Sequence, residues 1–335
     1  MKQMASFWRT HLNFLIGILI SAVAVYLSLR KIDFHTLGAS LRSVNLLFLI
    51  PAVAGQFGCF FLKGTGWRFL LLPAKKGIRT TSTITVLIIG LMVNNLFPAK
   101  MGELARGYLM GERENLSKTL CLSTVAVEHL LDILVLTTFL LILLPSVSLP
   151  PWLQTSGMLV GLAALGIILV LFLVMRREEK FLVWAAHLLT HLPDRFGGKI
   201  QSILSNILQG MRVVTGRYIF YALAALISMW FMAMGVAYLV LLACGLFLPF
   251  RAAVMVVVFA AFGKIIPSSP GAIGTFHYLV LLVLMSFQVS KEVALGYAIV
   301  LHALSFLIET SLGVALVLAG NLSLGRVARR AEEPL

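Results

Sequence analysis

Charge is scarce in this sequence. Only 12% of its 335 residues are Asp, Glu, Lys or Arg, against about a quarter in ordinary globular chains, while 60% are apolar and the mean hydropathy is +0.98. A water-soluble fold has too little interior to hide that much apolar surface, so the unit of organisation is the membrane span of about 20 residues. Cysteine is nearly absent as well. Cys59, Cys121 and Cys244 lie in apolar runs without CxxC spacing, which leaves no disulfide framework and no zinc site. Catalytic signatures are missing: no GxxxxGK[ST] loop, no HExxH and no GxSxG occurs, so no enzyme, cofactor or metal is expected from motifs. Acidic residues are the scarcer sign, 13 against 27 Lys and Arg. No basic stretch alternates with aromatics on a polar scaffold, which argues against nucleic acid as a partner. The cationic excess instead reads as the loop charge that sets membrane orientation.

What is present is a series of apolar runs at about 13–29, 44–62, 119–144, 157–175, 218–244 and 292–319. Lys2 and Arg9 ahead of the first run resemble a signal peptide, but the run passes Ala22-Val23-Ala24 and continues to Leu29, so a retained span is expected. Two further stretches are interrupted. The run 80–97 ends in Asn94-Asn95-Leu96-Phe97-Pro98-Ala99-Lys100-Met101-Gly102, and in 251–287 two half-length runs flank Pro267-Ser268-Ser269-Pro270-Gly271. Proline and glycine at that density break a helix, and lipid does not tolerate the freed backbone groups unless protein or water covers them. Both breaks should face an interior.

Orientation follows from the cations. Segment 145–156 has none and 176–217 has seven, so the first is outside and the second inside. Extending this in both directions places 1–12, 63–79, 98–118, 176–217 and 320–335 on the cytoplasmic face, with 21 of the 27 Lys and Arg. Both termini are then cytoplasmic. Stretch 80–97 must enter from the cytoplasm and turn back, whereas 251–287 must enter from the opposite face. The matching Pro98-x-x-x-Gly102 and Pro267-x-x-x-Gly271 spacings, with opposed orientation, describe an inverted-topology repeat with binding near the midplane; two unrelated proline kinks in an ordinary bundle are the plainer alternative. The expected fold is thus all-α and integral to the membrane, a single domain 1–335 with about six full transmembrane helices plus two re-entrant hairpins, about eight membrane segments in all. Residues 1–145 form the first repeat and 157–320 the second. Between them, 180–213 reads as an interfacial amphipathic connector, with Ile200, Ile203, Leu204, Ile207, Leu208 and Met211 at helical spacing.

Charges inside spans are costly and usually face a partner or a pathway. Glu128, His129 and Asp132 lie in the third full span. Glu128 and Asp132 share a face four residues apart: either they repel and one exchanges a proton, or both pair with cations such as Arg106. His302 and Glu309 lie two turns apart in the last span. Glu103 and Arg106 follow the first break at pairing distance. Lys264 precedes the second break, where either Glu309 or a ligand phosphate would answer its charge. Ser269 followed by Pro270 has the form of a helix N-cap, so a half-helix is expected from there through Gly274 and Phe276, with Gly271 allowing close approach to its backbone. Lys100 and Lys264 then place a cation beside each helix start, an arrangement suited to a lipid phosphate.

The segments 94–106, Glu128-His129-Leu130-Leu131-Asp132 and 267–276, ending Gly271-Ala272-Ile273-Gly274-Thr275-Phe276, resemble the motifs of the lysylphosphatidylglycerol synthase transmembrane region family over nearly the whole chain. The resemblance implies a flippase-like integral membrane protein handling polar lipids, such as aminoacylated phosphatidylglycerol or polyisoprenoid-linked sugars. It places the lipid-binding positions at Asn94, Asn95, Pro98, Lys100, Gly102, Glu103, Arg106, Lys264, Pro267, Ser269, Pro270, Gly271, Gly274, Thr275 and His277. Proton or ion-pair candidates are Glu128, Asp132, His302 and Glu309. His277 stands where the family often has an acidic residue. The chain ends soon after Arg330, so the soluble aminoacyl-transferase domain and its synthase activity are not expected.

The expectation is therefore a lipid flippase or transporter of a bacterial or archaeal cytoplasmic membrane, without cofactor, whose partners are membrane lipids. The alternative is a non-transporting membrane subunit of a lipid- or glycan-modifying enzyme. Topology is testable directly: cysteines introduced as Lys75→Cys and Arg113→Cys should react with impermeant thiol reagents only from the cytoplasm, and Gln154→Cys only from outside. Labelling of Arg113→Cys from outside would mean that 80–97 crosses completely.

Overall fold

A computed structural model describes residues 17–97, 100–147, 151–176, 217–266 and 268–320, and the regular elements among them are helices joined by turns, without a strand. The connector 180–213, Pro98 and Pro267 lie outside the described residues. Helix α1 covers Gly17–Leu29, and α2, Phe34–Arg42, starts where the Asp33 carboxylate accepts from the His35 N–H at 2.9 Å and the Thr36 hydroxyl at 2.6 Å. These two donors, Thr36 first, hold the Asp33 carboxyl below its usual range. The Asn45 side chain caps α3, Leu46–Leu71, by accepting from the Leu47 N–H at 3.0 Å.

Among the described residues four helices are long and apolar enough to cross a membrane: α3, α6 (Lys118–Leu143), α8 (Arg217–Ala243) and α11 (Lys291–Ala319). At 1.5 Å per residue, 26 residues reach about 39 Å, more than the roughly 30 Å hydrocarbon core. Helix α7, Pro151–Arg176, has the same length as α3 and α6. The span expected at 44–62 is longer in the structure, because α3 runs on through Lys63 and Trp67. Lys63, at the start of what the charge pattern makes a cytoplasmic loop, is instead a half-buried helical residue. The apolar run stops at Lys63, but the helix does not, because carboxylates on α6 meet the ammonium group. Arg106, also expected in an inner loop, is fully buried.

Both interrupted stretches form helical hairpins. Helix α4, Thr80–Leu96, ends at Phe97 in extended backbone, Lys100 adopts the left-handed conformation (φ 54°), and α5, Met101–Glu114, returns along α4. A side chain at Gly102 would overlap the Gly90 carbonyl oxygen, so glycine at both positions sets the spacing. The Asn94 side chain locks this turn, accepting from the Gly102 N–H at 2.8 Å. The second hairpin pairs α9, Phe250–Ile265, with α10, Thr275–Ser286.

Here the expected half-helix from Ser269 is corrected. Pro270–Ala272 is a single 3-10 turn and the α-helix begins only at Thr275. Gly271 (φ 67°), Ala272 (φ 56°) and Gly274 (φ 99°) all take positive φ, which a right-handed helix cannot propagate. The Ser269 hydroxyl donates to the Ile273 carbonyl at 3.1 Å instead of accepting from a helical N–H.

Helices α3 and α8 pack along each other, with Gly55 and Gly58 of α3 set against Val236 and Met232 of α8. Small residues permit such close approach where lipid supplies no hydrophobic drive. The hairpins dock in a reciprocal pattern. Helices α4 and α5 pack on α11 and α6 respectively, while α9 and α10 pack on α6 and α11. Helix α1 covers the second break, its Ser21 hydroxyl accepting from the Ser269 N–H at 2.7 Å. Gly102→Ala should force α4 and α5 apart and lower stability by about 1–3 kcal/mol. Thermal unfolding in detergent measures this, and an unchanged midpoint would show that the hairpin has room to spare.

Candidate functional site

The side chains singled out in the sequence gather at two linked places, one at each break. At the first, α5 presents Glu103 and Arg106 to α6, about ten residues into that 26-residue helix. Arg106, 1% exposed, forms a two-point pair with Glu128, Nη2 to Oε2 at 2.6 Å and Nη1 to Oε1 at 3.2 Å. Its Nη1 also donates to Glu103 Oε2 at 3.2 Å. The guanidinium lies over the Trp67 ring at 4.3 Å, and the Trp67 indole N–H donates to the Thr124 hydroxyl at 3.0 Å. A guanidinium suits this place because its planar donor fork fits a carboxylate while its face stacks on an aromatic ring.

Asp132, one turn further along α6, is met by Lys63 Nζ at 2.6 Å and by the Trp230 indole N–H at 2.8 Å. Lys63 also stands 3.3 Å from Glu128. Of the two alternatives for the acidic pair, the geometry is the second: each carboxylate faces a cation, and Arg106 is one of them. His129 completes the cluster, with Nε2 3.0 Å from Glu103 Oε2 and Nδ1 3.9 Å from Asp132 Oδ2.

Asn94 and Asn95, adjacent at the end of α4, reach in opposite directions. Asn94 donates to Glu103 at 3.0 Å within its own hairpin. Asn95 donates to Glu309 at 3.0 Å and to the Thr310 hydroxyl at 3.3 Å, both on α11. Glu309, 7% exposed, is thus answered by an amide and not by Lys264, so the proposed Lys264–Glu309 pair is absent. Lys264 is exposed, its Nζ 5.7 Å from the centre of the Phe276 ring. Lys100 is exposed at the first break.

At the second break the backbone itself is the principal feature. A side chain on Gly271 would meet the Phe306 ring at 3.0 Å and the Asn95 carbonyl oxygen at 3.6 Å, so the two breaks touch. His302 Nε2, in the tautomer that carries its proton there, donates to the Gly271 carbonyl at 2.9 Å. The Gly274 N–H points to His277 Nδ1 at 3.5 Å, and the two imidazoles lie 4.8 Å apart. Thr275, buried, donates to the Gly263 carbonyl at 3.0 Å and closes the hairpin. Ser269 and Pro270 are half-buried in the turn. Among the described residues no group of three or more His, Cys, Asp or Glu is placed to hold a metal.

Residues 14–313, which include both breaks and the ionic cluster, match the family model described as Lysylphosphatidylglycerol synthase TM region. The chain belongs to this family. It is similar to two proteins of Methanocaldococcus jannaschii, both described as UPF0104 membrane proteins. With MJ1078 it shares 23% identity over 216 residues, 64% of this chain and 88% of that protein. With MJ1595 it shares 26% over 124 residues, 36% of this chain and 35% of that protein. Membrane residence is thus common to the family, the relatives and the four long apolar helices, and implies contact with lipid.

Sequence reasoning did not assign roles to Lys63, Trp67, Thr124, His129 or Trp230. Lys63 and Trp67 lie four residues apart, a helical spacing that would have signalled continuation of α3 past the apolar run. Trp230, on the other half of the chain, has no such local signal. Arg106→Ala should cost about 3–5 kcal/mol, since it leaves Glu128 charged and buried with half its compensation gone. Adding Glu128→Gln should recover much of that loss in detergent melting. A wild-type midpoint for Arg106→Ala alone would remove the pair from the structural core.

Proposed function

We propose that this protein binds the headgroup of a polar, anionic lipid where the two hairpin breaks meet, and moves that lipid between leaflets of a cytoplasmic membrane. The observation that carries this reading is the contact between the breaks: Gly271 lies against the Asn95 carbonyl, with an exposed lysine, Lys100 or Lys264, beside each. Non-helical backbone is tolerated at membrane depth only where protein or a polar cavity covers it. Two such segments brought together by helices from both halves of the chain provide polar groups where an ordinary bundle would have none. In this reading the hairpins are re-entrant from opposite faces, 1–145 and 157–320 are inverted repeats, and both termini are cytoplasmic. The reciprocal docking of α4, α5, α9 and α10 on α6 and α11 is the packing that such a repeat would produce.

The second site has the ingredients for phosphate recognition. Helix α10 starts at Thr275 with no side-chain cap, so its first N–H groups and positive dipole end are directed to the break. Lys264 adds a full charge. Family members are flippase-like by resemblance, and the site requires no chemistry on the lipid beyond binding it.

The test uses purified protein in liposomes containing fluorescent NBD-phosphatidylglycerol, with dithionite reporting which leaflet holds the probe. Wild type should accelerate crossing. Lys264→Ala should weaken binding of phosphatidylglycerol roughly ten- to a hundredfold, the equivalent of one charge-assisted contact of about 1.5–3 kcal/mol. Gly271→Leu should abolish crossing, because the side chain would enter the Phe306 ring at a backbone angle that leucine rarely adopts. No acceleration by wild type, with altered total lipid amounts in cells lacking the protein, would favour the non-transporting enzyme subunit instead.

A further inference from the structure

The ionic cluster at the first break does not balance. Lys63 and Arg106 supply two positive charges, whereas Glu103, Glu128 and Asp132 supply three negative ones. An uncompensated charge among apolar helices is expensive, and both cations are already engaged. Lys63 faces Glu128 and Asp132, and Arg106 faces Glu103 and Glu128. One proton would restore the balance.

His129 stands where that charge is needed. Its Nε2 lies 3.0 Å from Glu103 and its Nδ1 3.9 Å from Asp132, so the ring is set between two carboxylates. Neutral imidazole has a single N–H and must turn a lone pair toward one of them; imidazolium donates from both nitrogens. Nε2 is closed off from solvent and makes no aligned hydrogen bond, yet the side chain as a whole is 40% exposed. The ring can therefore exchange a proton without the helices separating. The charged groups facing it are Lys63 from α3, Glu103 and Arg106 from α5, and Glu128 and Asp132 from its own helix. Helices α4 and α8 bring only the uncharged Asn94 and Trp230 to these carboxylates, α7 carries no charge before Arg176, and α9, which also packs on α6, has its two charges, Arg251 and Lys264, near its ends.

We propose that this cluster is a proton-binding site, in which one proton carried on His129 and shared with Glu103 and Asp132 couples the protein to the transmembrane proton gradient. The His129–Glu103 contact joins α6 to the first hairpin, and its strength depends on whether the ring is charged. Protonation from one face fastens α5 to α6; loss of that proton to the other face releases it. The step consumes nothing but a proton, which returns to water. What the coupling drives rests on the lipid-transport reading, but the site itself does not.

Two tryptophans report on the cluster, Trp67 stacked on Arg106 and Trp230 bonded to Asp132. Intrinsic fluorescence of the full chain in phosphatidylcholine nanodiscs should show a step when the pH is varied, because a histidine can change its charge. The step should be lost in His129→Gln, a partly exposed position where glutamine fits. The same step in wild type and His129→Gln, or no step in wild type, overturns the proton site. In liposomes, a pH gradient should change the rate of NBD-phosphatidylglycerol crossing severalfold for wild type and leave His129→Gln indifferent; equal responses overturn the coupling. Fluorescence requires no lipid movement, so a probe that never crosses at any pH would reject the transport reading while leaving the proton site standing.

Discussion

The two-point contact between Arg106 and Glu128 is the constraint to which the rest of this structure answers. A guanidinium sealed from both water and lipid must have a carboxylate, and that carboxylate must be presented from the interior of a long helix. This requirement ties the first hairpin to α6 at a fixed depth. It also explains the company the pair keeps. Trp67 covers the face of the guanidinium, Thr124 holds Trp67, and Lys63 supplies the second cation that lets Asp132 sit one turn away. Ion pairs of this kind add little net stability compared with apolar packing of the same volume, but breaking one is expensive. Their main effect here is on register: α3, α5 and α6 have one relative position in which all of these charges are met.

From that anchor the structure extends across the halves through two adjacent amides. Asn94 secures the first hairpin to itself and Asn95 secures it to Glu309 of α11, while the carbonyl of Asn95 lies against Gly271 of the second break. A polar path thus runs from an ionic cluster dominated by side chains to a turn dominated by backbone. The two ends differ in chemistry. The first is rich in charge and nearly closed; the second has imidazoles, non-helical backbone and an exposed lysine.

Several features of this arrangement were legible along the chain. The scarcity of charge required a membrane, and the Pro-x-x-x-Gly spacings located both breaks. Glu103, Arg106, Glu128, Asp132 and Glu309 stood out because charge inside an apolar helix needs a reason. The end of α3 departs from the same principle, since the apolar run stops at its first lysine and the helix does not. The partner that makes Lys63 tolerable lies 69 residues away on α6, and no local pattern reports it. The start of α10 was misjudged for a different reason: Ser269-Pro270 has the composition of a cap, but the backbone at Gly271, Ala272 and Gly274 follows the packing of α1 and α11 around the turn.

The sequence by itself determined the solvent, the class of fold and the list of costly residues, because these depend on transfer free energies and on periodicities within a few turns of helix. Tertiary structure decided which of those residues meet. Whether Arg106 faces Glu128 or a lipid, whether Lys264 pairs with Glu309 or stands exposed, and whether His129 lies between two carboxylates depend on the docking of segments far apart in the chain. Electrostatic interaction in an apolar interior is strong but short in reach, so a difference of a few ångströms in that docking changes the partner. No composition or spacing encodes those few ångströms; the packing of α3, α5, α6 and α11 does.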